Sequence, residues 1–170
     1  KECQKRIKNI LAICWGMQVA VTAAGGVVNR GKNGAHRGIA HEIVINSDGL
    51  NHPIYKDKDK IFNTPAFNYD EVVTLPKDAI LLSSNKVNNV MALNFETEFS
   101  KIWGIQYHPE ITYEKMITLI KFRRERLLEN KSFSDEKDLE SHISMIEKED
   151  KITKKESRMR ELKNWLDLIA

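Results

Sequence analysis

Asn9-Ile10-Leu11-Ala12-Ile13-Cys14-Trp15-Gly16-Met17-Gln18 is the stretch that decides the fold. Four apolar residues run into a cysteine, and small or helix-forming residues follow at once. A short apolar run that stops at a nucleophile and turns directly into a helix is a strand–elbow–helix unit, which presents a reactive side chain. Ala12 and Gly16, two residues either side of Cys14, are the small neighbours a sharp turn needs. The opening N–H groups of the helix would favour a thiolate there, because unpaired donors and the helix dipole both stabilise negative charge. Taken alone, the stretch is equally a core strand carrying a buried cysteine.

Working outward, Ile10 to Ile13 reads as a buried parallel strand and Trp15 to Ala24 as a helix closed by Gly25-Gly26. That pairing is the βα unit of an α/β fold. Val27-Val28 reads as a short strand and Asn29 to Gly38 as a loop. Ile39 to Ile45 reads as a strand closed by the turn cluster Asn46 to Gly49, and the polar, lysine-rich stretch Asn51 to Thr64 is expected to wrap the surface. Glu71 to Leu75, Ala79 to Ser83, Val90 to Phe95 and Ile102 to Tyr107 are four closely spaced strands, which predicts an antiparallel or mixed section attached to the parallel sheet.

The 170 residues suit about one domain, and 41% hydrophobic with 30% charged residues is ordinary for a soluble globular chain. A net charge of +3 without an aromatic-interleaved basic patch argues against a nucleic-acid partner. Two cysteines make no disulfide framework, and neither a membrane span nor a signal peptide is visible, so a reducing, cytoplasmic setting is expected. No metal and no cofactor are expected. Lys1 to Lys8 reads as the last turns of a helix that begins upstream.

The second informative site is Tyr107-His108-Pro109-Glu110. In an extended chain residues i and i+2 share a face, so His108 and Glu110 project together, and Pro109 stiffens the step. A carboxylate beside an imidazole orients it and stabilises its protonated form. His52-Pro53 has the same His-Pro step without the carboxylate and reads as loop. Combined with Cys14, the set suffices for thiol-based acyl transfer. Cys14 attacks a carbonyl, His108 moves the proton, Glu110 holds His108, and the Trp15 N–H donates one oxyanion hydrogen bond.

Ala12-Ile13-Cys14-Trp15-Gly16-Met17-Gln18 resembles the nucleophile signature of the class I (triad) glutamine amidotransferases, usually Gly-x-Cys-x-Gly-x-Gln. Gly104-Ile105-Gln106-Tyr107-His108-Pro109-Glu110-Ile111-Thr112 is similar to that family's histidine signature, and the Ile-Thr is nearest the amidotransferase domain of GMP synthase. Phe67-Asn68-Tyr69-Asp70-Glu71-Val72 stands where members carry a Ser-His-x-Asp-x-Val-like segment. The resemblance implies a flavodoxin-like α/β domain that hydrolyses L-glutamine to glutamate and ammonia through a γ-glutamyl thioester. It also implies that Gln18 binds the substrate and that Phe67 and Asn68 contact it through their backbones. Ala12 replaces the usual first glycine, and Asn68 stands where many members have His. Members carry about one βαβ unit or more before the nucleophile strand, including a glycine-rich loop that supplies the second oxyanion donor. The chain is therefore expected to be N-terminally truncated, lacking those βα units, and weak or inactive as it stands.

The amidotransferase domain is expected over residues 1–130, with a charged helical extension over 131–170. Ile111 to Asn130 reads as a helix capped by Thr112, Ser134 as the cap of a second helix, and Thr153 to Glu156 as a capping box. Met159, Leu162, Trp165, Leu166 and Ile169 then form an apolar stripe that packs on its own domain, or on a partner or second copy of the chain. The family's glutaminases pass ammonia to a synthetase domain or subunit, and nothing after Glu110 resembles a phosphate-binding loop. A γ-glutamyl hydrolase or peptidase on the same fold, with no partner, and an inactive interaction domain are the alternatives.

Overall fold

The computed structural model of the chain describes residues 1–170. A single helical turn, α1 (Cys3–Arg6), leads into β1 (Asn9–Ile13), and α2 (Trp15–Ala23) starts one residue after Cys14. Nine further strands follow before residue 106: β2 (Val27–Arg30), β3 (His36–Arg37), β4 (Ala40–Ile45), β5 (Ile61–Thr64), β6 (Phe67–Asn68), β7 (Asp70–Thr74), β8 (Ile80–Ser84), β9 (Ala92–Glu96) and β10 (Lys101–Ile105). One six-stranded sheet has the order β1-β10-β9-β8-β4-β5, and β2-β7 and β3-β6 form two small ribbons. Only β1 and β10 are parallel; the other pairs of the main sheet are antiparallel. The mixed sheet expected from the clustered short strands is therefore present. β1 lies at its edge, so Ile10, Leu11 and Ile13 are half-buried rather than buried.

Both faces of the sheet are covered. Met17 and Val21 of α2 pack with Ala12, Leu93, Phe95 and Ile102 on one side. Ile43, Ile45, Leu82, Met91, Trp103 and Ile105 form the core on the other, joined by Tyr55 and Tyr107. A satellite core joins Ile39 to the helices after residue 112.

Several local expectations are corrected. Asn46 to Gly49 is not an open turn. The Asn46 side-chain oxygen accepts from the Gly49 N–H at 2.8 Å and caps a helical turn, α3 (Ser47–Leu50). The stretch after it does more than wrap the surface, because Ile54 and Tyr55 in a 3-10 turn (Pro53–Tyr55) are buried and β5 extends the sheet. The helix expected over 111–130 divides into α4 (Tyr113–Phe122), with Thr112 as its N-cap, and α5 (Arg124–Glu129). The break falls at Arg123, whose N–H is shared between the Leu119 and Ile120 carbonyls, a local tightening.

Helix α6 (Glu136–Ile152) buries Leu139, Ile143 and Ile146 as its spacing predicts, but Asp135 caps it; Ser134 instead donates to Asp138. The box at Thr153 does not form, since the Thr153 hydroxyl donates back to Glu149 and Lys154 precedes the next turn, α7 (Lys155–Arg158). In α8 (Arg160–Ile169) the apolar stripe is only partly covered: Met159, Leu162, Trp165 and Ile169 are half-buried, Trp165 against the main core. Glu161 and Asn164, with Arg158 just upstream, are buried, while Leu166 is 57% exposed. The surface under α8 is the 3-10 turn, whose carbonyls and neighbouring Lys58 require polar partners. No helix is long and apolar enough to cross a membrane.

Candidate active site

Cys14 sits at the junction of β1 and α2 with φ 52° and ψ −112°. A non-glycine residue held there carries about 1–3 kcal/mol of backbone strain, which persists only where the surroundings over-determine it. They do so here: the Cys14 N–H donates to the Ile105 carbonyl at 2.7 Å, and the Gln18 N–H returns to the Cys14 carbonyl. Gly104 lets α2 lie close on β10, because a Cβ there would meet Met17 Cγ at 2.6 Å. Trp15 is the first helical residue, so its N–H has no partner within the helix. Trp15 is 74% exposed and helps line an open groove of about 500 Å³ with Gln18, Val19 and Val28.

Strand β10 stops at Ile105, earlier than the expected strand, and the chain reaches His108 in a turn. His108 N–H donates to the Pro65 carbonyl at 2.8 Å, and Ile111 N–H donates to the His108 carbonyl at 3.2 Å. The shared-face argument for an extended chain therefore does not describe this segment. The two side chains still meet, with His108 Nδ1 and Glu110 Oε1 2.6 Å apart. Burial pulls the His108 pKa down, but interactions with the Cys14 sulfur and then with Glu110 outweigh it and raise the pKa to about 9. Cys14 and Glu110 thus both act on the His108 ring, although the cysteine comes from a separate part of the chain.

The remaining residues singled out in the sequence are placed less simply. The Cys14 sulfur faces the Phe67 carbonyl at 3.9 Å, which puts the Phe67 backbone at the site. Gln18 has its amide nitrogen engaged by the Gln106 side-chain oxygen at 3.1 Å and the Asp70 carbonyl at 3.0 Å, leaving its own carbonyl oxygen. The Asn68 side chain is buried and committed to protein partners: His36 Nδ1 at 2.8 Å, the Asp70 carbonyl at 3.0 Å and Asn88 at 3.3 Å.

Gln106 was not singled out, yet it is fully buried and donates to the Cys14 sulfur at 3.4 Å. Its signal was its place two residues before His108. His36 was also missed; burial lowers its pKa, and it links Asn68 to Asn85. No three His, Cys, Asp or Glu side chains converge as a metal-binding group.

A family profile described as Glutamine amidotransferase class-I matches residues 1–124. A Pseudomonas protein named γ-glutamyl-L-1-hydroxyisopropylamide hydrolase is 29% identical over 180 residues, covering 95% of this chain and 61% of that protein. A glutamine-hydrolyzing GMP synthase subunit from Methanosarcina acetivorans is 32% identical over 106 residues, covering 62% of this chain and 52% of that one. The chain thus spans about half to three-fifths of the length of these relatives. Among solved structures, a glutamine amidotransferase from Thermotoga maritima superposes with a TM-score of 0.66 at 20% identity, covering 94% of this chain and 61% of that one. The likeness shows the shared flavodoxin-like fold.

Proposed function

The chain belongs to the class I glutamine amidotransferase family, and from that premise we propose that it cleaves a γ-glutamyl amide, with L-glutamine the reference substrate, through a thioester on Cys14. The observation that carries this reading is the Cys14 sulfur at a strained elbow beside an imidazole paired to a carboxylate at 2.6 Å. In this reading His108 takes the Cys14 thiol proton, the sulfur attacks the γ-carbonyl carbon, and the carbonyl electron pair moves to oxygen. The Trp15 N–H donates to that oxyanion, a kind of contact worth about 3–4 kcal/mol. Protonated His108 gives its proton to the departing nitrogen, which leaves as ammonia or an amine. Water then attacks the thioester, His108 takes a proton from it, and glutamate leaves with Cys14 restored. Glu110 orients the ring and stabilises its imidazolium form each time the proton is on it. Gln106 steadies the sulfur, Gln18 holds Gln106 and offers its carbonyl oxygen to the substrate, and the Phe67 and Asn68 backbones form the adjoining wall.

The fate of the nitrogen divides two readings. In the first, ammonia passes to a synthetase partner, as the names of the GMP synthase relatives suggest. In the second, the chain is a γ-glutamyl amide hydrolase that releases the amine to water. The second is favoured by one observation: the hydrolase relative aligns along 95% of the chain, whereas the GMP synthase relative aligns along 62%.

The test uses an electrophilic diazoketone analogue of glutamine, followed by mass spectrometry of both cysteines. Cys3 is exposed and serves as the internal control. Labelling confined to Cys14, and abolished by His108→Asn, is the expected outcome; equal labelling of Cys3 and Cys14 would overturn the proposal. Release of alkylamine from γ-glutamyl alkylamides faster than ammonia from glutamine would decide for the hydrolase.

A further inference from the structure

The segment after residue 153 meets the turn carrying His108 and Glu110 in an unusual way. Arg158 is 8% exposed, and its guanidinium has no carboxylate partner. Instead, Nη1 donates to the Pro109 carbonyl and, at 2.9 Å, to the Ile111 carbonyl. Those two carbonyls flank Glu110. Three residues on, Glu161 is fully buried and accepts from the Tyr107 hydroxyl at 2.8 Å and from Lys58 at 3.1 Å. Tyr107, the residue before His108, is tied in turn to Tyr55 at 2.8 Å, and Tyr55 to Ser83 at 2.8 Å. Residues 107, 109 and 111 are therefore anchored to the C-terminal segment, while His108 and Glu110 between them pair with each other.

A buried cation costs several kcal/mol unless polar groups replace its water. Here two carbonyl dipoles do so, and moving either one leaves the charge short of a partner. The guanidinium therefore resists any shift of the Pro109–Ile111 backbone. Apolar packing, being non-directional, would tolerate such a shift.

We propose that Arg158 is a positioning residue for the reaction, and that the C-terminal segment serves to hold the His108–Glu110 turn at the distance from Cys14 that proton transfer needs. This rests on the reading of Cys14 as nucleophile and His108 as its proton carrier. Glu161 provides the second anchor through Tyr107. A catalytic group displaced by about 1 Å loses about 100-fold in rate.

The test compares Arg158→Met, Arg158→Lys and Asn164→Ala in the full chain. Asn164 ties α8, the helix of Glu161, to the Ile54 and Lys56 carbonyls, at 2.9 Å and 2.8 Å, and makes no hydrogen bond to the 107–111 turn. The rate of Cys14 labelling by the diazoketone is measured against Cys3 alkylation, at a temperature where circular dichroism shows each variant folded. Arg158→Met is expected to slow Cys14 labelling about 10- to 100-fold, while Asn164→Ala lowers the melting temperature and leaves the rate unchanged. Should Arg158→Met fail to fold, Arg158→Lys carries the test. It keeps the charge on a shorter reach, and about a tenfold loss is expected. Wild-type rates in a folded Arg158 variant, or equal slowing in Asn164→Ala, would overturn the proposal. Failure of the wild-type chain to label at Cys14 would instead overturn the nucleophile reading.

Discussion

Replacing Glu110 by Gln removes the carboxylate 2.6 Å from His108 Nδ1 while keeping its size, and the consequence can be worked from the structure. His108 stands at a pKa of about 9, against an ordinary 6.5, despite burial that acts in the opposite direction. At ~1.4 kcal/mol per unit, this is ~3 kcal/mol of preference for the protonated ring, supplied by Cys14 and Glu110 together. The Glu110 side chain is 38% exposed, so solvent screens part of its share. Glu110→Gln is therefore expected to lower the His108 pKa by about 1 to 2 units.

The sign for stability follows from the raised pKa. The contribution is fully present below the unfolded value of 6.5 and is lost as pH rises through 9. Wild type should exceed Glu110→Gln by about 1–2 kcal/mol near pH 6, and the gap should close as pH rises through about 9. The assay is the imidazole C2 proton titration by NMR, with His108 assigned through its loss in His108→Asn, paired with urea denaturation at both ends of the range. Burial lowers the pKa of His36, His52 and His142, so none of these should shadow the high-titrating resonance. A His108 midpoint at or below 6.5 in the wild-type chain, or one unmoved by Glu110→Gln, would refute the coupling of the three side chains.

Two other substitutions probe how the site is held. Gly104→Ala would push a methyl into Met17 Cγ, 2.6 Å from the ideal Cβ position, lifting α2 off β10; a loss of about 1–3 kcal/mol by denaturation is expected, and a change under about 0.5 would contradict the packing. Asn68→Leu removes the partner of buried His36 at 2.8 Å and of Asn88 at 3.3 Å; it should cost about 1–3 kcal/mol, read as a lower melting temperature, and an unchanged one would show that the network carries no stability.

The sequence exposed the candidate site more readily than the way it is held. Cys14 was legible because the strand, the cysteine and the helix are contiguous, and the elbow leaves its mark within ten residues. His108 and Glu110 were legible because they are two apart, although the backbone joining them is a turn rather than the strand end inferred from spacing. Gln106 escaped notice because its place two residues before His108 says little until the sulfur of a residue 92 positions earlier is seen beside it. The β3–β6 ribbon was invisible for a similar reason: its two-residue strands have no periodicity, and only the pairing of His36 with Asn68 and Arg37 with Phe67 defines them.

The apolar spacing of the C-terminal helix leaves out its most deeply buried side chains, for a reason that bears on function. Hydrophobic periodicity finds the face that would bury apolar area; in α8 that stripe is half-buried, with Trp165 on the core and Leu166 left exposed. The buried face carries Arg158, Glu161 and Asn164, each matched to a group about 50 to 110 residues away, separations at which sequence periodicity gives no signal. An apolar face of similar volume would often be as stable or more so, since buried ion pairs seldom improve on well-packed hydrophobic residues. The directional contacts are therefore poorly explained by stability alone. Those of Arg158 and Glu161 are explained if what matters is where the Pro109–Ile111 turn sits, because hydrogen bonds specify position and dispersion does not. By the same reasoning, Glu161→Gln should unsettle Tyr107 more than the helix itself: Lys58 retains the Ser157 carbonyl at 2.7 Å and Asn164 retains both of its acceptors.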